Sequence, residues 1–464
     1  MFILDALFAI PEYYRRSGAW QGGRGMKELP DYVTKADRAR LFPILSEKSI
    51  EGRTLSIFLA TLIHVRPFAE RFLEQVDRRV GPRTRLHAFT EVRFKNEVLN
   101  SHDRPDGLLV VDTGLSRWTA LVEAKVRKSE INADQLARYL KIAKDNKIDA
   151  VITISNQFSL APHHHPVSVN APKNVELFHF SWMRVLTDAF LLLNEGVPDQ
   201  DQAYVLNEFK RFISHESAGV ESFTQMPPAW SDVTAAVQTG GNVLVNPARE
   251  VVQAWHQECQ DLSLIFSRQI DAAVRQRLSR AHSSDPMVRV AQDVEELRSQ
   301  QRLSVEFDVP DAAAPLKVCA DLRRRTISIW MYLSAPQDKQ RASARVNWLL
   351  RQLPKEKTDG LYVRAQWPGA SPWTQMALKD AHDDSSPLYA DKGNMALLGF
   401  EVLSVIDLGH RFSQRQTFIK ELEDAVPDFW ERAGQNLQAW VRPAPRVKEE
   451  RSEPEAVSPS ALSD

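Results

Sequence analysis

Apolar residues recur along this chain at two spacings, and the switch between them marks out its elements. A helix-like apolar pattern runs from Thr54 to Val76 and gives way to a strand over Leu86 to Phe94. Residues 104–126 then read RPDGLLVVDTGLSRWTALVEAKV. In the first strand of this stretch Asp106, Leu108, Val110 and Asp112 share one face, and Gly107, Leu109 and Val111 the other. A turn near Thr113-Gly114-Leu115-Ser116 leads to a second strand, apolar on both sides of Glu123. A helix over Asn132 to Lys144 and a strand over Ala150 to Ser155 follow. Next come a strand over Val175 to Phe180, an apolar helix through Met183, Leu186, Phe190 and Leu193, and an amphipathic helix marked by Tyr204, Val205, Phe209 and Phe212. Loop-like text at Met226-Pro227-Pro228 and Thr239-Gly240-Gly241 places a domain boundary there. The first domain is expected to span residues 50–237, after an extension of residues 1–49.

The second half patterns differently. A long helix is expected after Asn246-Pro247, with Val251, Trp255 and Leu262 on its apolar side and the pattern lasting to about Leu278. A helix near Met287 to Leu297 comes after it. Three runs of strict alternation follow, on Leu303, Val305, Phe307 and Val309, then Leu316, Val318, Ala320 and Leu322, then Ile327, Ile329, Met331 and Leu333. Short turns join them, so they predict an antiparallel meander with one buried face. A helix carrying Ala342, Val346, Leu349, Leu350 and Leu353, strands at Leu361 to Gln366 and Leu397 to Ile406, and a last helix complete the domain. That helix opens on the capping-box pattern Ser413-Gln414-Arg415-Gln416 and contains Pro427, which is expected to kink it. Residues 247–442 thus read as an α+β domain. From Pro443 the text turns to Pro, Glu, Ser and Lys, and a disordered tail is expected over 443–464.

Composition narrows the function classes. The chain is 43% hydrophobic and 26% charged, an ordinary soluble profile, and its 464 residues suffice for two or three domains. A formal net charge of -1 means that no global basic field announces nucleic acid. A binding surface would have to be local: Arg78-Arg79 with Arg83 and Arg85, the run Arg323-Arg324-Arg325, or the helix with Lys339, Arg341 and Arg345. Each of these also reads as a solvated charged face. Cys259 and Cys319 are the only cysteines and stand far apart, which argues against a disulfide framework or thiolate zinc site and favours a reducing cytoplasm. The start MFILDALFAIPEYYRR lacks a basic n-region and a small-residue cleavage site, so no signal peptide is read there, and no stretch is long enough to span a membrane. No GxxxxGK[ST] sequence is present, so ATP-driven translocation is not encoded in this chain.

The candidate chemistry lies in the paired strands. If they pair through the turn, Asp106 comes close to Glu123, and Glu123 and Lys125, two apart, share a face. Two carboxylates can hold Mg²⁺ while leaving positions for a phosphate oxygen and a water. Lys125 beside them can orient or deprotonate that water and offset charge in the transition state, the more readily if partial burial lowers its pKa. The alternative reading is a half-buried hairpin whose charges face water. The apolar run Ala120 to Val126 argues against it, because unpaired charges on an interior strand are costly.

Pro105-Asp106 followed by Glu123-Ala124-Lys125, set in this order of helices and strands, resembles the PD-(D/E)xK nuclease superfamily with its restriction-endonuclease-like αβββαβ core. The resemblance covers about residues 50–195. It implies an α/β fold, metal-dependent hydrolysis of phosphodiesters with Mg²⁺ (or Mn²⁺), and Asp106, Glu123 and Lys125 as the catalytic trio. Glu91 is the preferred third metal carboxylate, with Glu70 or Glu74 as alternatives that also read as helix ion pairs. Gln135, opening the next helix, is a further site candidate or simply a solvated residue. The run His163-His164-His165, between Pro162 and Pro166, reads as a surface loop near the site, because three consecutive histidines do not easily converge on one ion.

The expectation is therefore a cytoplasmic, Mg²⁺-dependent deoxyribonuclease acting in defence against foreign DNA or in repair. Its second half would bind DNA, form a homodimer or regulate. The alternative is an inactive nuclease-fold module that binds nucleic acid or a protein partner, although such a module would have no need for the trio.

Overall fold

A computed structural model describes residues 29–43, 45, 49–95 and 104–442. The start of the chain and the tail from Pro443, both read above from composition, lie outside the described residues.

The first unit is built on a six-stranded mixed sheet. Its strands are β1 (Val33–Arg38), β2 (Arg85–Phe94), β3 (Gly107–Asp112), β4 (Arg117–Ala124), β5 (Ala150–Ser155) and β6 (Glu176–Ser181), in spatial order 1-2-3-4-5-6. Pairing is antiparallel from β1 to β4 and parallel from β4 to β6. β1 comes from the stretch assigned above to an extension. The helices are α1 (Ile50–His64), α2 (Arg66–Glu74), α3 (Ala133–Asp145), α4 (Trp182–Glu195) and α5 (Gln200–Ile213).

The single helix expected over Thr54 to Val76 is two. Pro67 in mid-helix would lose the bond to Ile63 and clash with its carbonyl, so the chain turns extended at Val65 (φ -110, ψ 95) and Pro67 falls in the first turn of α2. Both faces of the sheet are covered. Leu109, Val111, Ala120 and Val122 pack with α1, α2 and α4, while Leu108, Val110, Leu121 and Val151 pack with Leu136, Tyr139 and Leu140 of α3. The β3–β4 hairpin is thus an interior one, as the apolar run around Glu123 predicted.

The second unit holds α6 (Ala229–Gln238), α7 (Val245–Ile270), β7 (Arg275–Gln276), α8 (Arg280–Ser284), α9 (Pro286–Gln300), β8 (Arg302–Asp308), β9 (Leu316–Asp321), β10 (Thr326–Ser334), α10 (Ala342–Leu350), β11 (Leu361–Gln366), β12 (Thr374–Ala377), α11 (Leu378–Asp383), β13 (Gly399–Asp407) and α12 (Arg415–Arg432). Its strands form a separate antiparallel sheet in the order β12-β11-β13-β10-β9-β8-β7, with the expected meander β8-β9-β10 inside it.

Three boundaries move. α7 stops at Ile270, where Asp271 takes a left-handed conformation (φ 56). α12 begins one residue later than the capping box requires, with no side-chain cap, and runs through Pro427 to Arg432. α6, placed above in the first domain, packs into the second core, with Trp230 against Phe412 and Phe418. The boundary therefore falls between α5 and α6. Leu264 of α7 joins the first core while Leu262 and Phe266 join the second, so this helix is shared between the units. Among the described residues no helix is long and apolar enough to cross a membrane.

Candidate active site

The hairpin register assembles the site. Gly107 pairs with Val122, and one further step along the antiparallel ladder sets Asp106 opposite Glu123. Asp106 Oδ2 accepts a hydrogen bond from the Ala124 amide (3.0 Å). Glu123 Oε1 is 2.7 Å from Lys125 Nζ and accepts from Gln135 Nε2 at 3.0 Å. Gln135 Nε2 also donates to Tyr139 Oη (2.7 Å), which donates in turn to the Arg104 carbonyl (3.1 Å). Lys125 Nζ lies 3.5 Å from Glu51 Oε2, in the first turn of α1.

Each of these side chains is held from behind. Lys125 lies just past β4, its amide bonded to the Ile154 carbonyl and its carbonyl to Trp182 Nε1 (2.8 and 2.9 Å). Asn132 caps α3 by accepting from the amides of Asp134 and Gln135, which sets Gln135 in the first turn. Gly107 lets α1 approach: a Cβ there would sit 2.9 Å from Leu59 Cδ1 and 3.3 Å from Leu55 Cδ2. Gly107→Val is expected to destabilise the protein by about 1–3 kcal/mol through overpacking, read as a lower urea midpoint, and to displace α1 with Glu51 from the site.

The electrostatics follow from crowding acids in a dry place. Glu123 is 3% exposed. Burial first, and then the Glu123 charge, push Asp106 well above the usual carboxylate range. Burial also raises Glu123, against the pull of Lys125. Burial works to lower Lys125, but the Glu123 and Asp106 carboxylates outweigh it and hold the ammonium above its usual range. The lowered lysine pKa expected from burial alone is therefore not found. Lys125 is a fixed positive charge here, suited to orienting a water and offsetting charge.

The donor set fits a hard divalent cation. Glu123 Oε2 is buried and has no hydrogen-bond partner, although the Asp106 carboxyl lies within hydrogen-bonding reach of Glu123. An orphaned carboxylate oxygen beside a second acid is costly without a proton or a cation between them. No group of three or more His, Cys, Asp or Glu side chains able to hold a metal ion occurs among the described residues. A cation at Asp106 and Glu123 would take its remaining ligands from water and phosphate, as Mg²⁺ commonly does.

Asp106, Glu123, Lys125 and Gln135 are thus brought together. Glu91 does not join them. Its side chain is exposed on a residue with φ 53 where the β1–β2 register slips, and only its amide reaches the site strand, donating to the Asp106 carbonyl (3.2 Å). The third acid near Lys125 is Glu51. Glu70 pairs with Arg66 as a helix ion pair, and Glu74 is exposed. Sequence reasoning missed Tyr139 and Glu51. Tyr139 carried a signal, standing four residues after Gln135 on the same helix face. Glu51 carried none, because only tertiary packing brings it to the site.

The polar row continues across the sheet. Glu123 pairs with Thr153 on β5, and Thr153 with His179 on β6. Thr153 Oγ1 lies 2.8 Å from His179 Nδ1 and 2.9 Å from His165 Nε2. His179 Nε2 faces the Gln157 carbonyl and must donate to it, so Nδ1 accepts from Thr153; the Val167 amide donates to His165 Nδ1, leaving Nε2–H to donate to Thr153. His165 is therefore a half-buried tie for its loop rather than a solvated surface residue. Burial lowers His165 to about 4 and His179 to about 3. Both folded values lie below the unfolded one, so the stability these neutral rings contribute is present above about pH 6.5 and is lost as pH falls toward 4. Urea midpoints across that window should fall less steeply with acid in His179→Gln than in the wild type.

No family model, curated protein or solved structure matches this chain.

Proposed function

We propose that the first unit is a PD-(D/E)xK-type, metal-dependent nuclease with a restriction-endonuclease-like core, hydrolysing phosphodiester bonds in DNA. The observation that carries this reading is the juxtaposition of Asp106 and Glu123, one carboxylate oxygen orphaned, with an ammonium 2.7 Å from Glu123. Asp106 and Glu123 would hold Mg²⁺ or Mn²⁺, which polarises a phosphate oxygen and acidifies a bound water. The chain's own groups do the rest. Lys125 orients the water and offsets charge building on the phosphate, Gln135 and Tyr139 fix the Glu123 carboxylate, and Glu51 holds the lysine from its other side.

The second unit shows no such carboxylate pair with a lysine on adjacent strands among the described residues, and serves this reading as a DNA-binding, dimerising or regulatory partner. If it supplies phosphate contacts, charge reversal at Arg323 and Arg324 should weaken DNA binding uniformly across sequences and flatten its salt dependence. If it is a dimer interface, DNA affinity is unchanged while sedimentation of the full chain reports self-association.

The test is cleavage of linear, circular and single-stranded DNA with Mg²⁺ or Mn²⁺, with RNA in parallel. The wild type is expected to cut DNA and Asp106→Ala not to. Equal activity in the two would discard the reading and leave a module that only binds.

A further inference from the structure

The most anomalous groups outside the candidate site lie where the two units meet. Glu258 of α7 is fully buried, and neither carboxylate oxygen has a hydrogen-bond partner. One turn on, Asp261 is fully buried too; its Oδ2 accepts from the Phe223 amide at 2.6 Å while Oδ1 has no partner. Glu423 of α12 faces both of them. Arg268 of α7 is the cation here, and its Nη1 is bonded to Thr187 Oγ1 of α4 (2.6 Å). Fully ionised, the cluster would hold three negative charges against one positive, in a place largely shielded from solvent.

The chain segment tied to this cluster is the linker between the units, residues 219–228. At its start the Gly219 carbonyl accepts from the Arg127 amide (2.6 Å), two residues beyond Lys125, and Asn156 bridges Gly219 and Glu221. In the middle Phe223 is anchored by Asp261 of α7 and packs against both cores. Farther on, the Met226 amide bonds to the Arg415 carbonyl and Arg415 Nε donates to the Met226 carbonyl, so the linker is fixed to α12 as well. Any force that parts α7 from α12 therefore acts on the linker at two points.

We propose that Glu258, Asp261 and Glu423 form a proton-operated clasp, holding the interunit linker through the Phe223–Asp261 bond while Glu258 and Glu423 carry protons and loosening it when these two ionise beside Asp261 and push α7 and α12 apart. The charged groups that face these acids are few. Glu258 meets Glu423 and Asp261; Asp261 meets Arg268; Glu423 meets Asp261, its own neighbour Asp424, and Arg268. From α4 the contact is the neutral Thr187 hydroxyl, and from α9 Arg289 and Asp293 face His256 and Cys259, which flank Glu258 on the same turn of α7. One arginine does not neutralise three acids, so protons complete the balance. Burial, and then the neighbouring carboxylates, hold Glu258 well above its ordinary range. Burial raises Asp261 to about 6 and Glu423 to about 7. These folded values lie above the unfolded ones, so the folded state holds protons that the unfolded state releases. Stability from this cluster is present below the unfolded carboxylate range and is lost as pH rises through about 6 to 7. That is the opposite sign to the histidine tie, and it falls near neutral pH.

Hydrogen exchange of the linker amides in the full chain, from about pH 5 to about pH 7.5 and corrected for intrinsic exchange, tests the clasp. In the wild type the opening constant at Phe223 should rise with pH, by up to about tenfold per unit for each proton released. Glu258→Gln and Glu423→Gln, which keep the shape without the titration, should both flatten the dependence. Glu423 is half-buried, so its variant carries the test if the fully buried Glu258 position does not accept Gln. A flat profile in the wild type, or an unchanged slope in Glu423→Gln, would overturn the proposal. Neither readout depends on nuclease activity, so the clasp and the catalytic reading stand or fall separately.

Discussion

Lys125→Met should lower Mg²⁺-dependent DNA cleavage by about 10²–10³-fold, the usual loss when one preorganised charge aimed at a transition state is removed. The fall is expected in kcat with KM nearly unchanged, because phosphate contacts elsewhere on the protein would still bind substrate. Methionine is the better probe than alanine. It keeps the packed stem in a side chain only 13% exposed, while alanine would also open a cavity beside Glu123. Either change leaves Glu123 buried without its cation, and breaking such a pair costs about 3–5 kcal/mol unless the acid takes up a proton. Urea unfolding of each variant must therefore accompany the kinetics. A well-folded Lys125→Met that cleaves at the wild-type rate would remove the lysine from the chemistry.

The second large effect is stabilisation by metal. A cation that binds the folded site and not the unfolded chain stabilises by mass action, by about 2.7 kcal/mol at a hundredfold excess over its dissociation constant. Mg²⁺ or Mn²⁺ should raise the melting temperature of the wild type and leave Asp106→Asn and Glu123→Gln unmoved. Without metal Asp106→Asn should melt no lower than the wild type, because it removes one of two crowded acids that burial already penalises, whereas Glu123→Gln also strips Lys125 of its nearest carboxylate and should melt lower. A variant that loses stability without metal and still responds to it would assign the cluster to the fold rather than to cation binding.

Much of this was legible in the sequence, and the reasons are specific. Alternation in β3 and the two-residue spacing of Glu123 and Lys125 put the trio on one face, because side-chain direction in a strand has a period of two and the hairpin turn sets the register. The β8-β9-β10 meander was readable for the same reason. Contacts between distant segments were not readable. Glu51 reaches Lys125 only because Gly107 lets α1 lie close on β3, a condition that no local pattern displays. Glu91 was preferred as a third carboxylate on the strand before Asp106, but a slip in the β1–β2 register and a left-handed backbone turn its side chain outward. The histidine run read as a solvated loop because sequence gives no hint that Thr153 and His179 wait beneath it. α6 was put in the wrong unit because proline and glycine flank it on both sides, and punctuation alone does not say which core a helix joins.

The central claim is that Asp106 and Glu123 share one divalent ion with Lys125 beside them. Anomalous scattering from crystals grown with Mn²⁺ tests it most directly. A single peak is expected on the α3 face of the sheet, with one oxygen from each carboxylate at about 2.0–2.3 Å and the Lys125 ammonium outside the coordination shell. A peak touching only one of the two carboxylates, or none at a Mn²⁺ concentration that supports cleavage, would contradict it.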